Sequence, residues 1–185
     1  MTIAMLLTAA LPVAALALIS ARREYRRRGR LSWFGLSLLI AMLFIPNLAL
    51  DYATTYEWPR SATDYAGIAV GTAGIVLLVF SLSAFRSMTK MLCLDQGELT
   101  ICGPYRFSRN PQYVGYFLFL AGYAMNDWSL WCLAVLAIVA VSLHLLVLIE
   151  EEHLKRVFGD EYAEFLRRVP RYFGRPVNRS ERDRF

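Results

Sequence analysis

Two short polar stretches carry the residues whose types and spacing could do chemistry. The first is Arg109-Asn110-Pro111, and the second is a run of glutamates, 150–152, that directly follows an apolar segment. Asn is a favoured N-cap and Pro suits the first helical position, so a helix is predicted to begin at Pro111. The free N–H groups of a helix start attract an anion, whereas carboxylates attract a cation. The two stretches together predict a site for a zwitterionic or mixed-charge ligand.

Each stretch also has a purely structural interpretation. Asn110 could act only as a cap, while Arg109 extends to the lipid headgroups and the glutamates form a solvated face. His144 lies in an apolar segment, where an ionisable group is a functional candidate by default. A polar contact inside the bundle is its alternative role.

The elements that must position these residues are membrane-spanning helices. A helix that crosses about 30 Å of hydrocarbon needs about 20 apolar residues, and segments 2–20, 31–50, 65–85 and 129–149 meet that length. Segment 113–125 is shorter, and Asn126-Asp127 is a turn signal that follows it. Residues 113–149 are therefore predicted to form a helical hairpin. With 57% hydrophobic content, the fold class is predicted to be all-α, a polytopic membrane helix bundle with about five transmembrane helices.

The basic residues set the predicted orientation. Loop 22–30 holds six arginines, and further basic residues occupy 86–112 and the tail from Glu150 onward, so these segments are predicted to be cytoplasmic. No basic residue precedes the first apolar segment, so it is interpreted as a retained span with its N-terminus outside. We predict an integral membrane protein of a prokaryotic inner membrane with a cytoplasmic C-terminus. Nucleic acid is not an expected partner, because the arginines flank apolar segments instead of forming a stripe.

One membrane domain is expected to cover residues 1–185. It divides into three N-terminal spans (1–85), a cytoplasmic segment that holds part of the site (86–112), the hairpin (113–149), C-terminal helices (150–176) and a basic tail (177–185). Apolar residues on helical spacing predict that the C-terminal helices are amphipathic. Gly159 is expected to end one helix, Asp160 to cap the next and Pro170 to stop it. The cysteines lack metal-type spacing and are interpreted as free thiols, and no metal site is expected; they are Cys93, Cys102 and Cys132.

The same stretches, taken with their flanks, resemble the isoprenylcysteine carboxyl methyltransferase and phospholipid methyltransferase family of integral membrane enzymes. The matching text is LTICGPY from Leu99, RNPQYVG from Arg109, EE from Glu150 with FGDEY from Phe158, and Val169-Pro170. The order and spacing of these pieces, with the hairpin between them, make the resemblance specific. It covers roughly residues 85–176.

The resemblance implies an S-adenosylmethionine site and a lipid-like acceptor that enters from the bilayer. Carried over by position, the residues that line the cofactor would be Leu99, Thr100, Tyr105, Asn110, Pro111, Gln112, Tyr113 and Glu150, with Arg109 and Glu151 adjacent. Glu150 could hold the ammonium or the ribose hydroxyls, and Tyr105 or Tyr113 could offer a ring face to the cation. Methyl transfer needs no protein nucleophile, so the resemblance assigns no catalytic residue.

Three positions depart from the family pattern. Asn110 and Gly97 stand where members tend to carry His, and Leu146 stands where prenylcysteine enzymes carry an Arg that is thought to hold a substrate carboxylate. A carboxylate substrate would need another cation, such as Arg171 or Arg175 folding back. The departure at Leu146 favours an amine or another lipid acceptor, and an amine must lose a proton before attack. The candidate bases, which the sequence does not separate, are His144, Glu151 and Tyr105.

The acceptor chemistry stays open between phospholipid N-methylation, carboxyl methylation of a prenylated thiol compound, and methylation of another small hydrophobic molecule. Outside this class, a sterol-reductase-like protein and a non-catalytic membrane scaffold are the alternatives. Only the methyltransferase interpretation predicts specific affinity for S-adenosylmethionine.

Overall fold

The protein is a bundle of helices in a computed structural model that describes residues 3–54, 59, 61–84 and 102–174. Its helices are α1 (Ile3–Arg28), α2 (Trp33–Ala53), α3 (Ala62–Ser83), α4 (Pro111–Ala124) and α5 (Leu130–Arg168), with a 3₁₀ turn at Gly103–Arg106. Within the described ranges every regular element is helical. Four helices are long and apolar enough to cross a membrane, namely α1, α2, α3 and α5. The prediction of an all-α polytopic membrane bundle is confirmed.

The first helix is longer than its apolar segment. The sequence predicted a loop over 22–30, but α1 continues to Arg28 and ends at Gly29, which has a φ of 68°. The prediction was wrong because arginine is a good helix former and nothing in that stretch breaks a helix before the glycine. The arginines of this last part of α1 define what we call the charged end of the bundle. Arg22 and Arg26 there pair with Glu152 of α5.

Glycines bring α3 and α4 into backbone contact, and those of α3 are the buried Gly67, Gly71 and Gly74. A Cβ placed on Gly67 would lie 2.6 Å from the carbonyl oxygen of Gly122, and one on Gly115 would lie 2.6 Å from the amide nitrogen of Leu78. Small residues allow this approach in a membrane, where packing and not water exclusion holds helices together. On its other side α4 contacts α2 and α5, while α1 packs on α2 and α5.

The predicted helical hairpin is confirmed and consists of α4, a short turn and α5. Ser129 caps α5 by accepting a hydrogen bond from the amide of Cys132. At the charged end α5 changes direction at Gly159, whose φ of 50° and ψ of −120° are not helical. The turns beyond it bury Tyr162, Phe165 and Val169 in a cluster of their own. This is the predicted C-terminal amphipathic helix, and it ends at Arg168, two residues before Pro170.

Candidate functional site

Four segments meet at the charged end of the bundle. They are the 3₁₀ turn, the first turn of α4, the glutamates 150–152 of α5, and residues 169–174, which we call the C-terminal strap. The strap follows α5 and lies back across the start of α4. The carbonyl oxygen of Pro170, in the strap, accepts a hydrogen bond of 3.0 Å from the backbone amide of Arg109. The strap therefore covers the helix start that the sequence predicted as an anion-attracting group.

Asn110 occupies the N-cap position of α4 but does not cap it. Its φ of −134° and ψ of 52° differ from those of a capping residue, and its side chain makes no cap hydrogen bond. Instead Nδ2 donates to the carbonyl oxygen of Arg171 over 3.1 Å. The predicted capping role was wrong because a carbonyl of the strap lies within reach of the buried amide. Pro111, as predicted, is the first residue of the helix and is buried.

Glu151 is a buried carboxylate held between two arginines. It is only 4% exposed. Arg171 donates to it twice, over 3.0 Å from Nε and 2.8 Å from Nη2, and Arg109 Nη2 lies 3.3 Å from Oε1. The hydrogen bonds to Glu151 raise the pKa of the Arg171 guanidinium above its already high ordinary value. Two cations surround one anion here, so this triad carries a net positive charge.

Glu150 faces a different partner. Its Oε1 accepts a hydrogen bond of 2.7 Å from the hydroxyl of Tyr113, in the first turn of α4. Within the described part of the chain Glu150 forms no ion pair. The carboxylate therefore keeps lone pairs for a cationic or hydroxylated ligand, next to a triad of opposite net charge.

A second contact links the 3₁₀ turn to α4. Tyr105 is buried, and its hydroxyl donates to Oε1 of Gln112 over 2.9 Å. Of the predicted site residues, the structure places Tyr105, Arg109, Asn110, Pro111, Gln112, Tyr113, Glu150 and Glu151 along the start of α4 and the facing turn of α5. Leu99 and Thr100, like Gly97 and Arg175, lie outside the described residues, so their predicted roles stay predictions.

The strap supplies two residues that were absent from the predicted site. Arg171 was considered only as a substitute cation for a substrate carboxylate, and Tyr172 was not considered. The hydroxyl of Tyr172 lies 2.9 Å from Nδ1 of His144. Burial raises the pKa of Tyr172, so the phenol keeps its proton. Val169-Pro170 was the sequence signal for the strap. Pro170 ends the helix, and the chain can then turn back toward the site.

Leu146 leaves the position of the family arginine apolar. It is 2% exposed and packs in the cluster formed by α1, α2 and α5. Among the described residues, the cations of the site are therefore Arg109 and Arg171, and both contact Glu151. Within the described ranges no group of His, Cys, Asp and Glu residues could hold a metal ion.

Parts of this chain are similar to known proteins. The chain is 32% identical over 78 residues to the nickel-cobalt-cadmium resistance protein NccN of Alcaligenes xylosoxydans xylosoxydans. That match covers 42% of this chain and only 37% of the relative. No solved structure matches the chain significantly. The model of the phospholipid methyltransferase family matches residues 61–161, more than half of the chain and all of the site except the strap. The chain belongs to the phospholipid methyltransferase family.

Proposed function

We propose that this protein is an S-adenosylmethionine-dependent methyltransferase that acts on a lipid-like acceptor at the cytoplasmic face of a prokaryotic inner membrane. One observation carries the proposal beyond family membership. The start of α4 brings a carboxylate without an ionic partner among the described residues, Glu150, next to the net-positive triad of Glu151, Arg109 and Arg171. Such a site suits a ligand that carries both signs of charge.

The chemistry of these groups fits the cofactor. S-adenosylmethionine carries an ammonium, a sulfonium and a carboxylate. Glu150 would hold the ammonium or the ribose hydroxyls, and Tyr113 orients that carboxylate through its hydrogen bond. The Nε–H of Arg109 is buried and has no hydrogen-bond partner in the described part of the chain. A buried donor without a partner is costly, and a carboxylate oxygen would satisfy it.

The bound cofactor would supply an electrophilic methyl group on a positively charged sulfur. The chain has to hold the two reactants in line and keep water out, and such positioning can supply much of a rate enhancement. Arg109 and Asn110 fasten the strap over the start of α4 through backbone carbonyls, which closes one side of the site to water. No protein nucleophile is required.

The contacts of Arg171 restrict the chemical class of the acceptor. A carboxylate acceptor needs a cation of its own, but Leu146 is apolar and buried and Arg171 is engaged by Glu151 through two hydrogen bonds. An acceptor without a carboxylate therefore fits better than the prenylcysteine type. Phospholipid N-methylation is the second candidate, and the family match favours it.

The test is calorimetric binding of S-adenosylmethionine and S-adenosylhomocysteine to the purified protein in lipid nanodiscs. We expect saturable binding that Glu150→Gln weakens at least about tenfold, the effect of losing one charge-assisted hydrogen bond. Glu152→Gln is the matched control, because Glu152 is partly exposed and its ionic partners Arg22 and Arg26 belong to α1, which contributes no residue to the candidate site. Absent binding by folded protein would contradict the proposal and favour the scaffold or reductase alternatives. Equal weakening by both substitutions would remove Glu150 from the site.

A further inference from the structure

His144 is a polar residue on an apolar, outward-facing surface. It lies in the apolar stretch of α5 that ends at Ile149, six residues before Glu150, which is about 9 Å along a helix axis. The side chain is exposed, as are those of its neighbours Val141, Leu145 and Leu148. In a membrane this surface meets lipid. An ionisable side chain in such a position is costly unless it has a use.

Among the described residues, the hydrogen-bond partner of His144 comes from the strap. The Tyr172 hydroxyl and Nδ1 of His144 are 2.9 Å apart, and the two rings are tilted by 47°. The preceding residue, Arg171, is fixed by Glu151 and by the Asn110 amide. The position of Tyr172 is thereby restricted, because it directly follows a residue that contacts the candidate cofactor site. Two adjacent residues of the strap thus contact Glu151 in the site and His144 on the lipid-facing surface.

The hydrogen bond leaves one nitrogen of the ring for a ligand. A neutral imidazole carries one N–H and one lone pair, and the contact with Tyr172 occupies Nδ1. The described residues offer Nε2 no hydrogen-bond partner. The Tyr172 oxygen can take part in a further hydrogen bond as well. The pair thus presents two neutral hydrogen-bonding atoms toward lipid.

We propose that the His144–Tyr172 pair binds the methyl-accepting group of a membrane-dissolved amphiphile, and that this group is an uncharged hydroxyl, thiol or amine. This inference rests on the proposed methyltransferase function and names its acceptor class. The depth of the His144–Tyr172 pair in the membrane argues against a phosphodiester headgroup. A charged phosphate would have to lie about 9 Å deeper in the membrane than Glu150, where a single neutral pair could not compensate for its lost hydration. A short uncharged group on a hydrocarbon chain enters that depth at far lower cost.

The chain has two histidines, so the imidazole signal of His144 can be compared with that of the other one. His153 stacks on Tyr25 at 4.4 Å, away from the pair, and is an internal reference. Protein labelled with ¹⁵N in the imidazole rings, in phosphatidylcholine nanodiscs, is titrated with dodecanol and, separately, with dodecane. We expect dodecanol to shift the His144 Nε2 resonance saturably, with His153 unchanged and dodecane without effect. Tyr172→Phe should raise the midpoint about fivefold, as expected for one lost hydrogen bond.

Each other outcome overturns the inference. An unshifted His144, or equal shifts from dodecane and dodecanol, would show that the pair only fastens the strap. An equal shift from phosphatidylethanolamine at the same mole fraction would place a zwitterionic headgroup at the pair and refute the uncharged class. Calorimetry with S-adenosylhomocysteine on the same sample separates the two proposals. Cofactor binding without a dodecanol shift would refute only the acceptor site. A shift without cofactor binding would refute the proposed methyltransferase function, and the pair would then be a binding site for an uncharged amphiphile that is not a methyl acceptor.

Discussion

Three consecutive glutamates on α5 have different surroundings, and the same substitution should therefore have very different effects on stability. The carboxylate of Glu151 is 4% exposed and contacts Arg109, whose side chain is only 10% exposed. Glu151→Gln leaves that arginine buried without its ionic partner among the described residues. Removing one partner of a buried ion pair costs about 3–5 kcal/mol. The glutamine oxygen still accepts one hydrogen bond, so we expect a loss of about 3 kcal/mol in the free energy of unfolding.

Glu152→Gln is the matched control. The side chain of Glu152 is 36% exposed, and those of Arg22 and Arg26 are 55% and 49% exposed. Exposed ion pairs contribute about 0.2–1 kcal/mol each, and salt screens them. We expect a loss of at most about 1 kcal/mol, which should shrink further as the salt concentration rises. The loss from Glu151→Gln should depend less on salt, because Glu151 and Arg109 are largely withdrawn from water.

The assay is reversible unfolding in mixed micelles, followed by circular dichroism at low and at high salt. Combining Glu151→Gln with Arg109→Leu should recover part of the loss, because the uncompensated cation is then absent and the two sites are coupled. Equal losses from Glu151→Gln and Glu152→Gln, or a loss at Glu151 that salt abolishes, would refute the buried triad. The strap would then have no ionic anchor, and its placement over α4 would need another cause.

Three further substitutions test the contact of Asn110 with the strap and the contact between α3 and α4. Asn110→Asp should lower the free energy of unfolding by about 1–3 kcal/mol, because a carboxylate cannot donate to the carbonyl of Arg171. A residue that acts only as an N-cap would tolerate Asp. Unchanged stability would therefore restore the capping role of Asn110. Gly115→Ala should cost about 1–3 kcal/mol, since its Cβ would meet the amide of Leu78 at 2.6 Å. Gly71→Ala, whose Cβ would meet nothing nearer than 3.7 Å, should change stability by about 0.5 kcal/mol or less, and equal losses from the two would contradict the α3–α4 contact.

The lengths of the apolar segments and the residues that begin or end helices were enough to predict which segments are helical. Long apolar runs have one stable form in a membrane, because a helix satisfies its own backbone hydrogen bonds. The hairpin followed from the turn after Met125, and the helix start followed from Pro111. The end of α1 was misplaced because hydropathy marks where lipid ends, whereas a helix stops only at a residue such as Gly29 that leaves helical geometry.

The strap could not be predicted, because its contacts join residues that are distant in sequence. The bond from Asn110 to Arg171 spans 61 residues, and the contact from His144 to Tyr172 spans 28. Residues 169–174 have no helical or alternating period, so nothing in their pattern specifies a partner. For the same reason a capping role for Asn110 was the natural prediction from local sequence, and tertiary contact overrode it.

The short length of α4 explains why the strap and the site occur together. α4 has 14 residues and spans about 21 Å, which leaves about 9 Å of a 30 Å hydrocarbon layer uncrossed. Its far end is fixed to α2, where the Tyr123 hydroxyl donates to Asp51 over 3.1 Å. The deficit therefore falls at the charged end, where non-helical backbone enters the depth of the membrane. Such backbone is tolerated only when protein satisfies its polar groups. The strap does so at Arg109 and Asn110, and the short helix and the strap together place these polar groups near Glu150.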